Sequence, residues 1–118
     1  MIKVTFVNDR KRGRLSLKLS GHAGAAEMGH DIVCAGASIL ACTVAQEAKN
    51  MEKRGQLTKP PYIKLQEGDT HIMVRPMDAD YEEALHTFYI AQVGYSLLAH
   101  NYPQYVEFIS LNKTNTQS

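Results

Sequence analysis

Apolar and polar residues alternate along two stretches near the start of the chain. Every second position is apolar from Ile2 to Phe6 and again from Leu15 to Leu19. A period of two is typical of strands with one buried face, because successive side chains of a strand point to opposite sides. The polar segment 8–13 between the two stretches therefore predicts a hairpin.

A helical spacing replaces this alternation in the middle of the chain. Apolar residues recur at intervals of three and four from Ala37 to Met51, and Gly55 is suited to end a helix. The pattern predicts a helix over residues 35–54. Gly36 is expected to loosen its first turn, because glycine is a weak helix former.

A second hairpin follows two prolines. Pro60 and Pro61 interrupt the chain, and the segments 62–66 and 70–75 flank the polar turn 67–69. Residues of high strand propensity on both sides of a short turn predict two antiparallel strands.

A long apolar helix is predicted over residues 80–101. Asp80 and Glu83 resemble a capping box at its start, and Pro103 ends it. The apolar residues of this helix cover more than one stripe. The helix is therefore either deeply buried or shares a face with another subunit.

The order of the predicted elements is β-β-α-β-β-α-β, with a last strand over 105–111. A chain of 118 residues fits one domain, residues 1–111, and the polar tail 112–118 is expected to be disordered. The economical arrangement is an α+β fold, in which an antiparallel or mixed sheet packs with two helices.

Charge and composition narrow the range of functions. The net charge is +1, so no strong overall field favours nucleic acid or an acidic partner. No secretory signal is evident, nor an apolar run of the roughly 20 residues that a membrane span needs, so we expect a soluble, cytoplasmic protein. Basic residues still crowd the first hairpin, which is either a solvated turn or a surface for RNA or the ribosome. These residues are Lys3, Arg10, Lys11, Arg12, Arg14 and Lys18.

The two cysteines occupy different positions in the first predicted helix. Cys34 and Cys42 are eight residues apart, about 12 Å at the rise of a helix, which is too far for a disulfide. Cys42 lies in mid-helix and is expected to be structural. Cys34 lies at the predicted start, where unpaired N–H groups and the helix dipole stabilise a thiolate.

Two histidines lie close to Cys34 in the sequence. His22 and His30 flank a glycine-rich segment, and either can act as a base for the thiol. The alternative is that Cys34 is a small packed hydrophobe and the histidines are exposed loop residues. Zinc would have only these three ligands, an incomplete structural site, so no metal is expected.

Further residues near Cys34 have possible supporting roles. Asp31 can orient the base, contact substrate or cap the helix, and Ser38 lies one helical turn after the cysteine on the same face. Gly21 and Gly24 belong to the segment 21–29, whose small residues predict a lid that is mobile without substrate and orders on binding.

These residues form a motif that resembles a known family. Ser20-Gly21-His22-Ala23-Gly24, followed by Asp31-Ile32-Val33-Cys34-Ala35 and by Ser38, is similar to the ribosomal-processing cysteine proteases of bacteria. The resemblance covers nearly the whole chain. It implies a homodimeric endopeptidase that removes a short N-terminal extension from a large-subunit ribosomal protein, cutting after paired aromatic residues. No cofactor is expected.

The resemblance also implies roles for the motif residues. Cys34 would be the nucleophile and His22 its base, with Asp31 and Ser38 in support. Backbone N–H groups at the helix start would stabilise the oxyanion. The competing class is a non-enzymatic ribosome-assembly or RNA-binding factor, in which Cys34 is only packed. A thiol-redox sensor is disfavoured, because no resolving cysteine is in reach.

Overall fold

Five strands form one sheet with two helices. The computed structural model describes residues 1–22 and 30–114, without the side chains of residues 30 and 31. The elements in chain order are β1 (Ile2–Asp9), β2 (Arg14–Ser20), α1 (His30–Lys53), β3 (Tyr62–Gln66), β4 (Asp69–Val74), α2 (Tyr81–Asn101) and β5 (Val106–Lys113). A 3₁₀ turn, Asp78–Asp80, leads into α2.

The order of the strands across the sheet is β3-β4-β2-β1-β5. β1 pairs with β5 in parallel, and the other three pairings are antiparallel. The sheet is therefore mixed, and the predicted α+β fold with its β-β-α-β-β-α-β order is confirmed.

One face of the sheet carries the core. In the register, Phe6 of β1 lies beside Leu17 of β2, which in turn lies beside Ile72 of β4. All three side chains are buried, while Lys3 and Lys18 on the opposite face are exposed. The period of two therefore identified the buried face correctly, since residues paired across strands project on the same side.

Two glycines let α1 and α2 pack closely. A Cβ on Gly36 would lie 3.2 Å from the side chain of Leu98, and a Cβ on Gly94 would lie 2.8 Å from that of Leu40. Each glycine thus accommodates a leucine of the other helix, and the two helices run antiparallel. Gly36 therefore has a packing role, which the sequence did not reveal.

A buried tyrosine connects the same two helices. The hydroxyl of Tyr95 in α2 donates to the backbone carbonyl of Ala37 in α1 at 2.9 Å. Burial raises the pKa of Tyr95, so the phenol stays protonated and remains a donor. This hydrogen bond fixes α2 to the part of α1 that follows Cys34.

The boundaries of both helices differ from the prediction. α1 is described from His30 rather than from residue 35, so Cys34 lies inside the helix. The predicted capping box of α2 is wrong, because Asp80 makes no side-chain hydrogen bond to the helix. The chain enters α2 through the 3₁₀ turn, where the N–H of Tyr81 already donates to the carbonyl of Asp78.

β5 continues to Lys113, into the segment that was predicted to be a disordered tail. Asn112 pairs with Asn8 of β1, and the two side-chain amides are joined by a hydrogen bond of 3.2 Å. Pairing with β1 therefore orders these residues, although their composition is polar. Residues 115–118 lie outside the described part of the chain.

One helix is long and apolar enough to meet a criterion for membrane spans. The segment Ile32–Lys53 has a mean hydropathy of 1.2 in its most apolar window, of which 33% is buried. This is weak evidence for a membrane span, because core helices of globular domains meet the same criterion. The buried residues of the segment contribute to the core.

A buried carboxylate organises the basic hairpin between β1 and β2. Asp9 accepts hydrogen bonds from the backbone N–H of Arg12 at 3.1 Å and from its guanidinium at 3.3 Å, and Arg14 lies 3.6 Å away. Burial alone would raise the pKa of Asp9, but the hydrogen bonds and charges of the arginines outweigh it and lower the pKa. Arg10 pairs with Glu82 at 2.7 Å. All three arginines thus have structural roles.

Replacing Asp9 by Asn should destabilise the protein by about 1–3 kcal/mol at pH 7, because a buried amide then faces two guanidinium groups. The pKa of Asp9 is lowered on folding, so its carboxylate stabilises the folded state above the unfolded pKa of about 3.9. That contribution is lost as the pH falls through the folded value. Urea unfolding should therefore show a smaller difference between the two proteins at pH 3 than at pH 7. A difference independent of pH would contradict this account.

Candidate active site

His22 lies just beyond the end of β2, beside the turn between β3 and β4. Gly21 precedes it with φ +86°, a conformation that glycine adopts without strain. The N–H of Gly21 donates to the carbonyl of Gly68, in the turn between β3 and β4, at 3.1 Å. The imidazole remains accessible, with 61% of the side chain exposed.

Cys34 lies on α1 and is half-buried. Side chains of a helix lean toward its N-terminus, so the thiol points toward the first described turn of α1. Ser38 is one turn further along and exposed, and it leans back toward Cys34 for the same reason.

A cleft of about 310 Å³ brings the two candidate catalytic residues together. It lies between α1, the end of β2 and the β3–β4 turn. Small side chains, Ala37 and Ala41, form part of its α1 wall. The other residues that line it are Ile2, Leu19, Gly21, His22, Cys34, Ser38, Gln66, Glu67, Gly68, Asp69 and Thr70. A thiol and an imidazole that line one cleft are the groups that nucleophilic cysteine chemistry requires.

Several predicted site residues lie outside the described part of the chain. Gly24 and the rest of segment 23–29 are not described, so the predicted lid stays a prediction. Asp31 and His30 belong to α1 by their backbone, but the description does not include their side chains. Their roles as supporting residue and alternative base also stay predictions.

Cys34 does not lie at the start of α1, where it was predicted to be. The unpaired N–H groups of a helix belong to its first four residues. α1 is described from His30, so the N–H of Cys34 is at least the fifth and donates within the helix. Stabilisation of an oxyanion by N–H groups at the helix start stays a prediction.

The turn between β3 and β4 was not predicted to belong to the site. Glu67, Gly68 and Asp69 line the cleft beside His22, and the carboxylate of Glu67 lies 4.0 Å from His22 Nδ1. The Lys64 ammonium lies 2.5 Å from the carboxylate of Asp69, and this hydrogen bond lowers the pKa of Asp69. The segment was predicted as a turn, but nothing in the sequence indicated that β4 pairs with β2.

The second cysteine is not a core residue. Cys42 is exposed on α1, and neither cysteine forms a disulfide. The interpretation of Cys42 as a packed structural residue is therefore wrong. Ala41 and Val44 of α1 are buried against the sheet, and the helical spacing then leaves Cys42 on the opposite side of the helix.

Within residues 1–22 and 30–114, no group of three His, Cys, Asp or Glu residues is arranged to hold a metal ion. The chemistry available in the described cleft is that of Cys34, His22, the Ser38 hydroxyl and the carboxylates of the β3–β4 turn.

Comparisons with known proteins agree with this arrangement. A family model for cysteine protease Prp matches residues 1–107. The crystal structure of SMU.848 from Streptococcus mutans superposes with a TM-score of 0.65 at 27% identity and covers 96% of each chain. The comparison with curated proteins gives no match.

Two structures of the ribosomal processing protease Prp from Staphylococcus aureus are also similar. The complex with a covalently linked product peptide has a TM-score of 0.58 at 26% identity, covering 93% of this chain and 99% of that one. The complex with a substrate peptide has a TM-score of 0.61 at 24% identity and the same coverage. At this lower identity the similarity shows a shared fold only. Together with the family match over residues 1–107, the cleft with its thiol and imidazole leads to one conclusion: the chain belongs to the cysteine protease Prp family and is a cysteine protease.

Proposed function

We propose that the protein is an endopeptidase that removes a short N-terminal extension from a large-subunit ribosomal protein. The observation that carries the proposal is that Cys34 and His22 line the same cleft. The similarity to the ribosomal processing protease Prp from S. aureus, whose structure holds a covalently linked product peptide, supports the choice of substrate class.

Cys34 is the nucleophile and His22 the base in this proposal. The imidazole accepts the thiol proton, and the sulfur attacks the scissile carbonyl carbon. Collapse of the tetrahedral intermediate expels the amine of the C-terminal fragment, which takes the proton from the imidazolium. Water, deprotonated by the same imidazole, then hydrolyses the thioester. Ser38 lies at the wall of the cleft, where it contacts the peptide.

The shape of the cleft suits a bulky apolar side chain. Ala37 and Ala41 are small, and Ile2 and Leu19 add apolar surface beside them. Aromatic side chains bury about 150–250 Å² each, which makes them effective anchors in such a space. Cleavage after paired aromatic residues is therefore consistent with these walls.

A purely RNA-binding role is less well supported. The hairpin arginines that suggested it are engaged by Asp9 and Glu82, so the basic charge of the hairpin is partly neutralised. Cys34 packs partly against the core, but it also lines the cleft and is therefore not enclosed as a purely structural cysteine would be.

Cys34→Ala should abolish cleavage, and His22→Ala should lower the rate by a factor on the order of 10² or more, because the general base is lost. The assay incubates the protein with a ribosomal protein that still carries its extension and identifies the products by mass spectrometry. A peptide with alanine in place of the aromatic pair should be cut more slowly.

Cys42→Ala is the matched control, because Cys42 lies on the same helix but outside the cleft. It should retain full activity, and His30→Ala should cost less than His22→Ala. Cleavage by the Cys34→Ala protein would refute the assignment of Cys34 as the nucleophile. An inactive His30→Ala protein together with an active His22→Ala protein would show that the base is misassigned.

We also propose that the protein is a homodimer that associates through α1 and α2. Exposed apolar side chains project from α2, where Ile90, Val93 and Leu97 are 61%, 61% and 57% exposed. Beside them runs an apolar groove of about 730 Å³ between the helices, lined in part by Leu40 and Ala91. The exposed side chains of α2 form a ridge on the same surface as the groove. A two-fold interface can use both, because each copy inserts its ridge into the groove of the other.

Val93→Glu should convert the dimer to a monomer, because a charge would be buried in an apolar interface. Sedimentation at micromolar concentration measures the mass directly. Leu111→Glu is the matched control, since Leu111 is an exposed apolar residue on β5, away from the helices. A monomeric unsubstituted protein, or equal effects of the two substitutions, would contradict this interface.

A further inference from the structure

The imidazole of His22 lies directly against the backbone of the turn between β3 and β4. A Cβ atom built on Gly68 would lie 2.6 Å from Nε2 and 2.8 Å from Cε1 of His22. Both distances are shorter than real Cβ contacts. The ring therefore occupies the space that a side chain at position 68 would need.

The same turn holds the backbone that leads to His22. The register of β2 and β4 ends with Ser20 beside Asp69, and the next residue, Gly21, donates its N–H to the carbonyl of Gly68. Gly68 itself has φ +76°, a left-handed conformation that glycine adopts without strain. Gly68 thus contacts both the ring of His22 and the chain just before it.

The charge of Glu67 adds little to this contact. Its carboxylate lies 4.0 Å from His22 Nδ1, but the side chain of Glu67 is 92% exposed. Exposed pairs at such a distance are weakened by solvent and salt. The steric contact with Gly68 is therefore the main constraint that the turn places on the ring.

We propose that Gly68 is a positioning residue for the catalytic base, because its missing side chain lets the His22 imidazole lie against the turn and face the cleft. The inference rests on the assignment of His22 as the base in the proposed function. A side chain at position 68 displaces the ring. Since the ring is the exposed end of a flexible side chain, the displacement costs little stability but separates the base from Cys34.

Gly68→Ala tests the proposal, with Gly13→Ala and Gly55→Ala as matched controls. The three glycines have φ of +76°, +66° and +72°, so alanine introduces similar backbone strain at each. A Cβ on Gly13 or Gly55, however, meets no atom within 4 Å. We expect similar shifts of the urea midpoint in all three variants. Only Gly68→Ala should lower kcat, by about 10- to 100-fold as for a misplaced catalytic group, with little change in KM.

Gly68→Asn separates the strain from the contact. Asparagine tolerates the left-handed region better than alanine, so this variant should recover stability, while its Cβ still displaces the ring. Its loss of kcat should match that of Gly68→Ala. Full activity of either variant would overturn the proposal, as would an equal loss in Gly13→Ala. Failure of both Gly68 variants to fold would overturn it too, because displacing an exposed ring should not unfold the protein.

Alkylation of Cys34 by iodoacetamide distinguishes failure of this inference from failure of the base assignment. Gly68→Ala alone should slow the reaction. In the His22→Ala background it should have no further effect, since Gly68 acts through the ring. Further slowing in that background would overturn the inference. If His22→Ala leaves cleavage unchanged, the base assignment fails. If His22→Ala is inactive and Gly68→Ala is fully active, only the role of Gly68 fails.

Discussion

The antiparallel pairing of β2 with β4 determines where the candidate base lies. The pairing runs to Ser20 and Asp69, and it places the end of β2 beside the β3–β4 turn. Two glycines with positive φ, Gly21 and Gly68, then let the chain and the imidazole of His22 approach this turn closely. Without that pairing the imidazole would belong to an unsupported loop.

The thiol is placed by a different part of the fold. α1 packs on the sheet through small and apolar residues, and the close contact of Gly36 with Leu98 and of Gly94 with Leu40 fixes it against α2. Because a closely packed interior is hardly compressible, these contacts limit the movement of Cys34 relative to the sheet. The cleft is thus formed where an ordered strand end meets an ordered helix.

The sequence predicts the elements well because their patterns are local. The alternation from Ile2 to Phe6 and the three-four spacing after Ala37 each report a buried face, and Cys34 and His22 were identified by a motif of residue types. The partners of these residues depend on long-range pairing, which no local pattern encodes. That is why the contact of Gly68 with His22 was missed and why the order of β5 at Asn112 was not expected. The exposure of Cys42, in contrast, follows from the local helical spacing that turns Ala41 and Val44 toward the sheet.

The central claim is that the fold places the imidazole of His22 where it activates the thiol of Cys34. Iodoacetamide labelling at neutral pH, followed by peptide mapping, tests it without any substrate. Cys42 is exposed in the single chain and Cys34 is half-buried, so exposure alone predicts faster labelling of Cys42. Because Cys42 also lines the groove of the proposed dimer interface, the Val93→Glu protein is labelled in parallel to exclude protection of Cys42 by a partner subunit. Our account predicts much faster labelling of Cys34, and a loss of that advantage in His22→Ala, because the thiolate is the reactive form. Equal labelling of the two cysteines, or preferential labelling of Cys42, in the unsubstituted protein would contradict the account.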